Sequence, residues 1–330
     1  MSTVAVIGDG GWGTALAMLL TANGHCVTVW GPFPDYLAAV RTARENKLYL
    51  PGVALPPEIR WTADRDEAAA GAECAVMAVP SRFFREVAAS FVGRLPPACP
   101  LVSVAKGLDP ATRRRLTEVL AELFPGRTVA ALSGPSHAEE VARGMPTAVV
   151  LAAADPRAAV ALQRVFAGRR FRVYTSEDVV GVELGGALKN VIAVAVGVSD
   201  GIGFGDNTRA ALITRGLAEM ARLGAALGAQ PVTFSGLSGL GDLIVTCTSR
   251  WSRNHTVGER LGRGERLDRI LADMKQVAEG VWNCAAACEL ARAAGVDLPI
   301  AREVRAIVHE NKDPHDAVES LLARDLKPEA

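Results

Sequence analysis

Lysine, cysteine, aromatic residues and net charge are all in short supply in this 330-residue chain. Thirty-six acidic residues cancel 36 basic ones, which excludes a general polyanion binder, so nucleic acid is not an expected partner. The six cysteines, at 26, 74, 99, 247, 284 and 288, form neither a CxxC pair nor a dense framework. A disulfide scaffold is thereby excluded, and reduced thiols packed as small hydrophobes are expected. Cys284 and Cys288 could share a helix face, but no histidine or further cysteine is near them in the chain, so no metal site is expected. No apolar run reaches the roughly 18 residues that span a bilayer. The stretch 191–198 is typical of the longest, and no integral membrane segment is expected. The N-terminus lacks a basic segment and its first apolar run stops at Gly8-Asp9, which argues against a secretion signal and for a cytoplasmic location. Lysine is the most informative scarcity. Only six of the basic residues are lysines, at 47, 106, 189, 275, 312 and 327, and the rest are arginine. Arginine does not lose its proton in a protein, whereas lysine can be tuned to do so, so a lysine in an apolar or glycine-rich setting raises a chemical question.

Hydrophobic residues make up 49% of the chain and charged ones 22%, the mix of an ordinary globular protein and too apolar for disorder. At roughly 100–200 residues per domain, the length fits two domains. Residues 3–7 are a short apolar run ended by glycines, the pattern of a buried strand. A helix is expected over 14–22, stopped by Asn23-Gly24, and then a strand over 26–30. Further strands are expected over 72–79, 100–104, 128–132, 147–151 and 171–174, with helices over 82–91, 113–124 and 156–167 between them. This alternation predicts an α/β fold, a doubly wound and mostly parallel sheet with helices on both faces. After about residue 178 the patterns are helical only, over 182–198, 207–227, 252–263, 281–294 and 300–310.

Gly8-Asp9-Gly10-Gly11-Trp12-Gly13 follows the first strand and opens the first helix. That is G-x-G-x-x-G in the context it requires. Gly8 allows the tight turn, Gly10 lets the backbone approach a pyrophosphate, and Gly13 lets helix pack on strand. The helix N-terminus adds free N–H groups and a positive dipole end for the phosphates. The expected division is a dinucleotide-binding Rossmann domain at 1–180 and an all-helical substrate and catalytic domain at 181–330. The second strand ends Trp30-Gly31-Pro32-Phe33-Pro34-Asp35. Neither an acid for the ribose hydroxyls nor an arginine for a 2′-phosphate stands at its tip, so the choice between NAD and NADP is open and discrimination below about a hundredfold is expected.

Lys189 is the only charged residue between Glu183 and Asp200. It either snorkels from a buried helix or serves as a desolvated lysine with a usefully lowered pKa. Lys106 and the Ser133-Gly134-Pro135-Ser136 turn each follow a strand, at the carboxyl edge where ligands bind in open α/β sheets. Ser238-Gly239-Leu240-Gly241-Asp242 is too glycine-rich for a stable helix yet apolar enough for burial, so Asp242 is expected to have a partner. Ser252-Arg253-Asn254 opens a helix with hydroxyl, guanidinium and amide donors, which suits a phosphate.

With these residues the chain resembles the bacterial NAD(P)-dependent glycerol-3-phosphate dehydrogenase family. The matching stretches include GDGGWGTALA at 8–17, NKLYLPGV at 46–53, AVPS at 78–81, AKGLDP at 105–110 and LSGPSHAEEVARGMPTAVV at 132–150. They continue through VELGGALKNVIAVAVG at 182–197, GDNTRAALITRGLAEM at 205–220, GLSGLGDLIVTC at 236–247, SRNHTVGERLGRG at 252–264 and VAEGV at 277–281. The resemblance implies reversible hydride transfer between NAD(P)H and dihydroxyacetone phosphate, giving sn-glycerol 3-phosphate for glycerophospholipid synthesis. It implies Lys189 as general acid/base with Asp242 beside it. It also implies that Lys106 touches both cofactor and substrate, and that Gly134, Ser136, Asp242, Ser252, Arg253 and Asn254 line the substrate site. Gly11, Trp12, Ala138, Arg253, Val277 and Glu279 are implied to contact the cofactor. A homodimer is the expected assembly. Three positions depart from the family pattern: Gly11 for the usual Ser or Ala, His137 for Phe, and Pro32 where Arg or His is often found. Rival readings are a 2-ketoacid or β-hydroxyacid reductase, which needs a carboxylate anchor instead of the 252–254 cluster, and a dinucleotide sensor, which has no need of Lys189 with Asp242. A UDP-sugar dehydrogenase is disfavoured, because no cysteine sits in a nucleophile motif.

Overall fold

A computed structural model describes residues 1–274, 276–326 and 328, so Lys275 and Lys327 lie outside the described residues. Eight strands form one sheet: β1 (Thr3–Ile7), β2 (Cys26–Trp30), β3 (Arg60–Thr62), β4 (Cys74–Met77), β5 (Leu101–Ser103), β6 (Val129–Ser133), β7 (Thr147–Ala153) and β8 (Phe171–Ser176). Their order is β3-β2-β1-β4-β5-β6-β7-β8, parallel except for the β6–β7 pair. The helices accompanying the sheet are α1 (Gly11–Ala22), α2 (Pro34–Ala43), α3 (Arg65–Ala69), α4 (Ser81–Ala89), α5 (Leu116–Leu123), α6 (Ala138–Ala142) and α7 (Pro156–Phe166). The helical half follows with α8 (Val179–Ile202), α9 (Asp206–Ala226), α10 (Pro231–Phe234), α11 (Asp242–Thr248), α12 (Arg253–Gly262), α13 (Leu267–Asp273), α14 (Glu279–Ala293), α15 (Pro299–Glu310) and α16 (Pro314–Leu322). This is a Rossmann-type, mostly parallel sheet followed by a helical region.

β1 shows why a strand buried on both faces reads as an unbroken apolar run. Val4 and Val6 join Leu16, Leu20 and Leu132 in the core on one face, while Ala5 and Ile7 join Met77, Phe84 and Leu101 on the other. The strand order reverses between β1 and β4, which opens a crevice at the carboxyl edge of the sheet, where the glycine loop lies.

Three expectations need correction. The first helix starts at Gly11 and not at 14, because the glycines of the motif themselves form its first turn. Cys26, the first residue of β2, is exposed and is not packed as a small hydrophobe. The third concerns α8, which is long and apolar enough to cross a membrane by length and composition. Glu183, Lys189 and Asn190 interrupt its apolar sequence without making the helix polar as a whole. Its most apolar window is 89% buried inside the protein, where α9, α11, α12, α14 and α15 surround it. It is the core of the helical half.

Glycines set the spacing around that core. A Cβ on Gly197 or Gly201 of α8 would collide with backbone oxygens of α12, and one on Gly258 or Gly262 would collide with those of α8. The two helices therefore touch backbone to backbone, which brings the start of α12 beside the middle of α8. Glu183 ties α8 to the sheet half. Its buried carboxylate accepts from the Thr117 N–H at 2.9 Å, from the Thr117 hydroxyl and from Arg115.

Candidate active site

Three charged side chains from three parts of the chain converge where the helical half meets the sheet. Lys106 follows β5, Lys189 sits mid-α8, and Asp242 is the first residue of α11. Lys189 is 5% exposed and Asp242 1%. The Lys189 Nζ donates to Asp242 Oδ1 at 2.7 Å and to the Thr246 hydroxyl at 2.6 Å. The Lys106 Nζ donates to the other carboxylate oxygen, Oδ2, at 2.8 Å, and also to the Gly134 carbonyl at 2.8 Å and the Ser136 hydroxyl at 3.3 Å. One carboxylate thus holds two ammonium groups. The snorkelling alternative fails for Lys189, because its head group ends on buried partners and not in water.

Burial pushes the Lys189 ammonium down to about 8, with Asp242 opposing and Lys106 adding to the fall. For Asp242, burial acts to raise the carboxyl, but the two lysines outweigh it and hold it below the ordinary carboxylate range. The expected partner of Asp242 is therefore present. The segment before it is a π-helical turn, Leu237–Gly241, running directly into α11. That turn brings the Ser238 carbonyl so close to Gly185 of α8 that a side chain there would not fit.

The start of α12 adds the remaining candidates. Ser252 caps the helix by accepting the His255 N–H at 3.2 Å. Asn254 donates to Asn190 Oδ1 at 2.9 Å and accepts the Gly280 N–H at 2.8 Å, and Asn190 in turn donates to the Lys106 carbonyl at 3.0 Å. Arg253 is exposed, with its guanidinium donating to the Val277 carbonyl at 3.2 Å. Glu279, at the start of α14, reaches across to the sheet half, where it accepts the Ser81 N–H at 2.9 Å and the Ser81 hydroxyl. Sequence reasoning missed Thr246, Asn190 and Ser81. Thr246 is four residues after Asp242, a helical spacing that the glycine-rich 238–242 stretch hides in the sequence. Asn190 follows Lys189 directly, and Ser81 heads a helix.

His137 precedes α6, with Nε2 buried and without a hydrogen-bond partner among the described residues. Burial, helped by Lys189 and Lys106, pushes its imidazole down to about 4, so it is neutral near physiological pH.

The glycine loop fits a dinucleotide. Gly10 has open space where its side chain would be, and the N-terminus of α1 carries no side-chain cap, so its first N–H groups are available to a pyrophosphate. The buried Trp12 indole N–H has no partner among the described residues. A Cβ on Gly11 would lie 2.5 Å from the Tyr49 carbonyl and 3.8 Å from Ala138 Cβ, which explains why glycine stands here. Gly8, Gly10, Gly11, Trp12 and Gly13 thus form one turn into α1, with Ala138 of α6 packed beside Gly11.

The family model described as NAD-dependent glycerol-3-phosphate dehydrogenase N-terminus matches residues 3–159, and the corresponding C-terminus model matches 178–319. The chain is 50% identical over 329 residues to a glycerol-3-phosphate dehydrogenase (NAD(P)+) of Geobacter sulfurreducens, covering 99% of this chain and 98% of the relative. It is 51% identical over 322 residues to one of Moorella thermoacetica, covering 98% and 96% respectively. A crystal structure of glycerol-3-phosphate dehydrogenase from Coxiella burnetii superposes with a TM-score of 0.94 at 38% identity, covering 98% of this chain and 99% of that one.

Proposed function

We propose that this chain, which belongs to the NAD-dependent glycerol-3-phosphate dehydrogenase family, interconverts dihydroxyacetone phosphate and sn-glycerol 3-phosphate with Lys189 as general acid/base. The observation that carries the mechanism is the buried Lys189–Asp242–Lys106 cluster. A bound nicotinamide supplies or takes the hydride at carbon 2 of the substrate. In the reductive direction, negative charge develops on the carbonyl oxygen. The Lys189 ammonium stabilises that charge and then gives its proton to the oxygen, which leaves a neutral amine to be reprotonated from solvent. Asp242 orients the amine through its 2.7 Å contact, and Lys106 adds a second positive charge beside the reacting group.

Arg253, with Ser252 and Asn254 behind it, is assigned the phosphate, so that binding energy at the non-reacting end aligns carbon 2. Gly134 and Ser136 complete the substrate wall. Gly8, Gly10, Gly11, Trp12, Gly13, Lys106, Ala138, Arg253, Val277 and Glu279 are assigned to the NAD(P). The sheet half, 1–180, then acts as the dinucleotide-binding domain and 181–330 as the substrate domain, in a cytoplasmic homodimer supplying glycerophospholipid synthesis. Oxidation of NADH or NADPH with dihydroxyacetone phosphate, compared with ketopantoate and hydroxypyruvate, tests this reading. Turnover of the phosphate substrate is expected, turnover of a ketoacid alone would replace the reading, and no turnover of any would favour a sensor.

A further inference from the structure

The second strand of a dinucleotide-binding sheet commonly ends in an acid about 20 residues beyond the glycine motif, where it meets the adenosine ribose. Here that position is Gly31, and no acid or guanidinium follows until Asp35, which is exposed in the first turn of α2. The space a Gly31 side chain would occupy is nonetheless filled. Asp9, the second residue of the glycine motif, places its Oδ2 2.5 Å and its Cβ 2.9 Å from the point where a Gly31 Cβ would stand. The two strand tips lie side by side, with the Gly8 N–H bonded to the Trp30 carbonyl at 2.9 Å, so Asp9 leans directly onto the end of β2.

One oxygen of this carboxylate is unprovided for. Asp9 is 8% exposed, and its Oδ2 has no hydrogen-bond partner among the described residues. Its side chain forms no ion pair among the described residues, and burial pushes its carboxyl up, opposed by its own backbone N–H. The nearby Tyr36 hydroxyl is committed elsewhere, to Asn46 Oδ1. A buried acceptor without donors is costly and calls for a reason. A ribose diol offers the missing hydroxyl donors, whereas a 2′-phosphate would bring negative charge against a carboxylate that has no ion pair among the described residues.

We propose that Asp9 replaces the absent acid at the tip of β2, accepting the adenosine ribose hydroxyls and selecting NAD(H) over NADP(H). The proposal rests on the functional reading above for the presence of a dinucleotide, and it makes the glycine motif itself the specificity element. The test is calorimetric titration of the full chain with NADH and with NADPH, without substrate, in wild type and in Asp9→Asn, which keeps the side-chain volume and removes the charge. Wild type is expected to bind NADH at least about tenfold more tightly than NADPH, and Asp9→Asn to narrow that ratio by about tenfold, chiefly through tighter NADPH binding. Asp9→Ser must move the ratio in the same direction, which covers the case in which the asparagine variant does not fold. A wild-type ratio near unity, or a ratio unmoved in a folded variant, overturns the role of Asp9 and leaves the dehydrogenase reading standing. Binding of neither cofactor overturns both.

Discussion

Replacing Lys189 with arginine separates a proton donor from a mere cation. The charge and most of the length survive in Lys189→Arg, but the pKa does not. The native ammonium is pushed down to about 8 by burial, so near neutral pH it is mostly protonated yet gives its proton readily. A guanidinium above about 12 holds its proton some four units more tightly, and if about half of that difference appears in the transition state, kcat falls by about 10². The two bonds now made by Nζ, to Asp242 at 2.7 Å and Thr246 at 2.6 Å, leave little room for the wider head group, which adds to the loss. Lys189→Met, close in volume, controls for overpacking and should be at least as inactive. The assay is NADH or NADPH oxidation with dihydroxyacetone phosphate, alongside a thermal melt and a cofactor titration. Cofactor affinity should hold, because the glycine loop lies elsewhere. The wild-type pH profile provides a second readout. Protonated Lys189 is the acid, so reductive kcat/KM should be flat at low pH and fall as pH rises through about 8, while the oxidative direction should rise there. A folded Lys189→Arg protein with near-normal kcat would refute the mechanism.

Three further outcomes are expected. Arg253→Ala should raise KM for dihydroxyacetone phosphate about ten- to a hundredfold while barely changing reduction of unphosphorylated dihydroxyacetone, and equal losses on both would remove Arg253 from the phosphate. Asp242→Asn takes away the charge that holds the Lys189 pKa up, so the alkaline limb of the reductive profile should move below about 8 as activity drops; a limb that stays in place would show that Asp242 does not tune the lysine. Glu219, buried in α9 and accepting the Ile300 N–H at 2.7 Å, is pushed up by burial from 4.5 to about 7. Its proton is bound more tightly folded than unfolded, so the associated stability is present below 4.5 and is lost as pH rises through about 7; the melting temperature of wild type should therefore fall relative to Glu219→Gln across that window, and parallel curves would contradict the shift.

The sheet was legible because β1, β4 and β5 are buried on both faces and so appear as apolar runs between helical patterns. Short elements escaped. β3 has three residues, Arg60–Thr62, and α6 and α10 have five and four, too few for a period to show. In the site, Lys189 and Asp242 stood out because a charge in an apolar, glycine-rich stretch needs a partner. What stayed hidden was the pairing. The 2.8 Å contact of Lys106 with Asp242 joins residues 136 apart in sequence, and nothing local to either one encodes it. Thr246 was missed for a different reason, since the π-turn before it obscured the helix that aligns it with Asp242. Asp9 was in view from the start inside the glycine motif, but its contact with Gly31 depends on how two strand tips meet.

On the proposed mechanism, the arrangement accounts for a lysine as proton donor in a chain whose basic residues are mostly arginine. A buried base is useful here only if its proton affinity can be set near the working pH, and two opposing influences set it. Desolvation lowers the pKa of Lys189, while the negative charge of Asp242 raises it, and Lys106 weakens that support by competing for the same carboxylate. The three groups belong to separate parts of the fold: the loop after β5, the middle of α8 and the end of a π-turn. The tuned value is therefore a property of how the sheet half and the helical half are held together. Glu183 on Thr117 and Glu279 on Ser81 hold that junction through carboxylates from the helical half that accept backbone N–H groups in the sheet half. Neither contact touches Lys189, yet both fasten together the two halves that carry Lys106 and Asp242, the groups that respectively reinforce and oppose the effect of burial on Lys189.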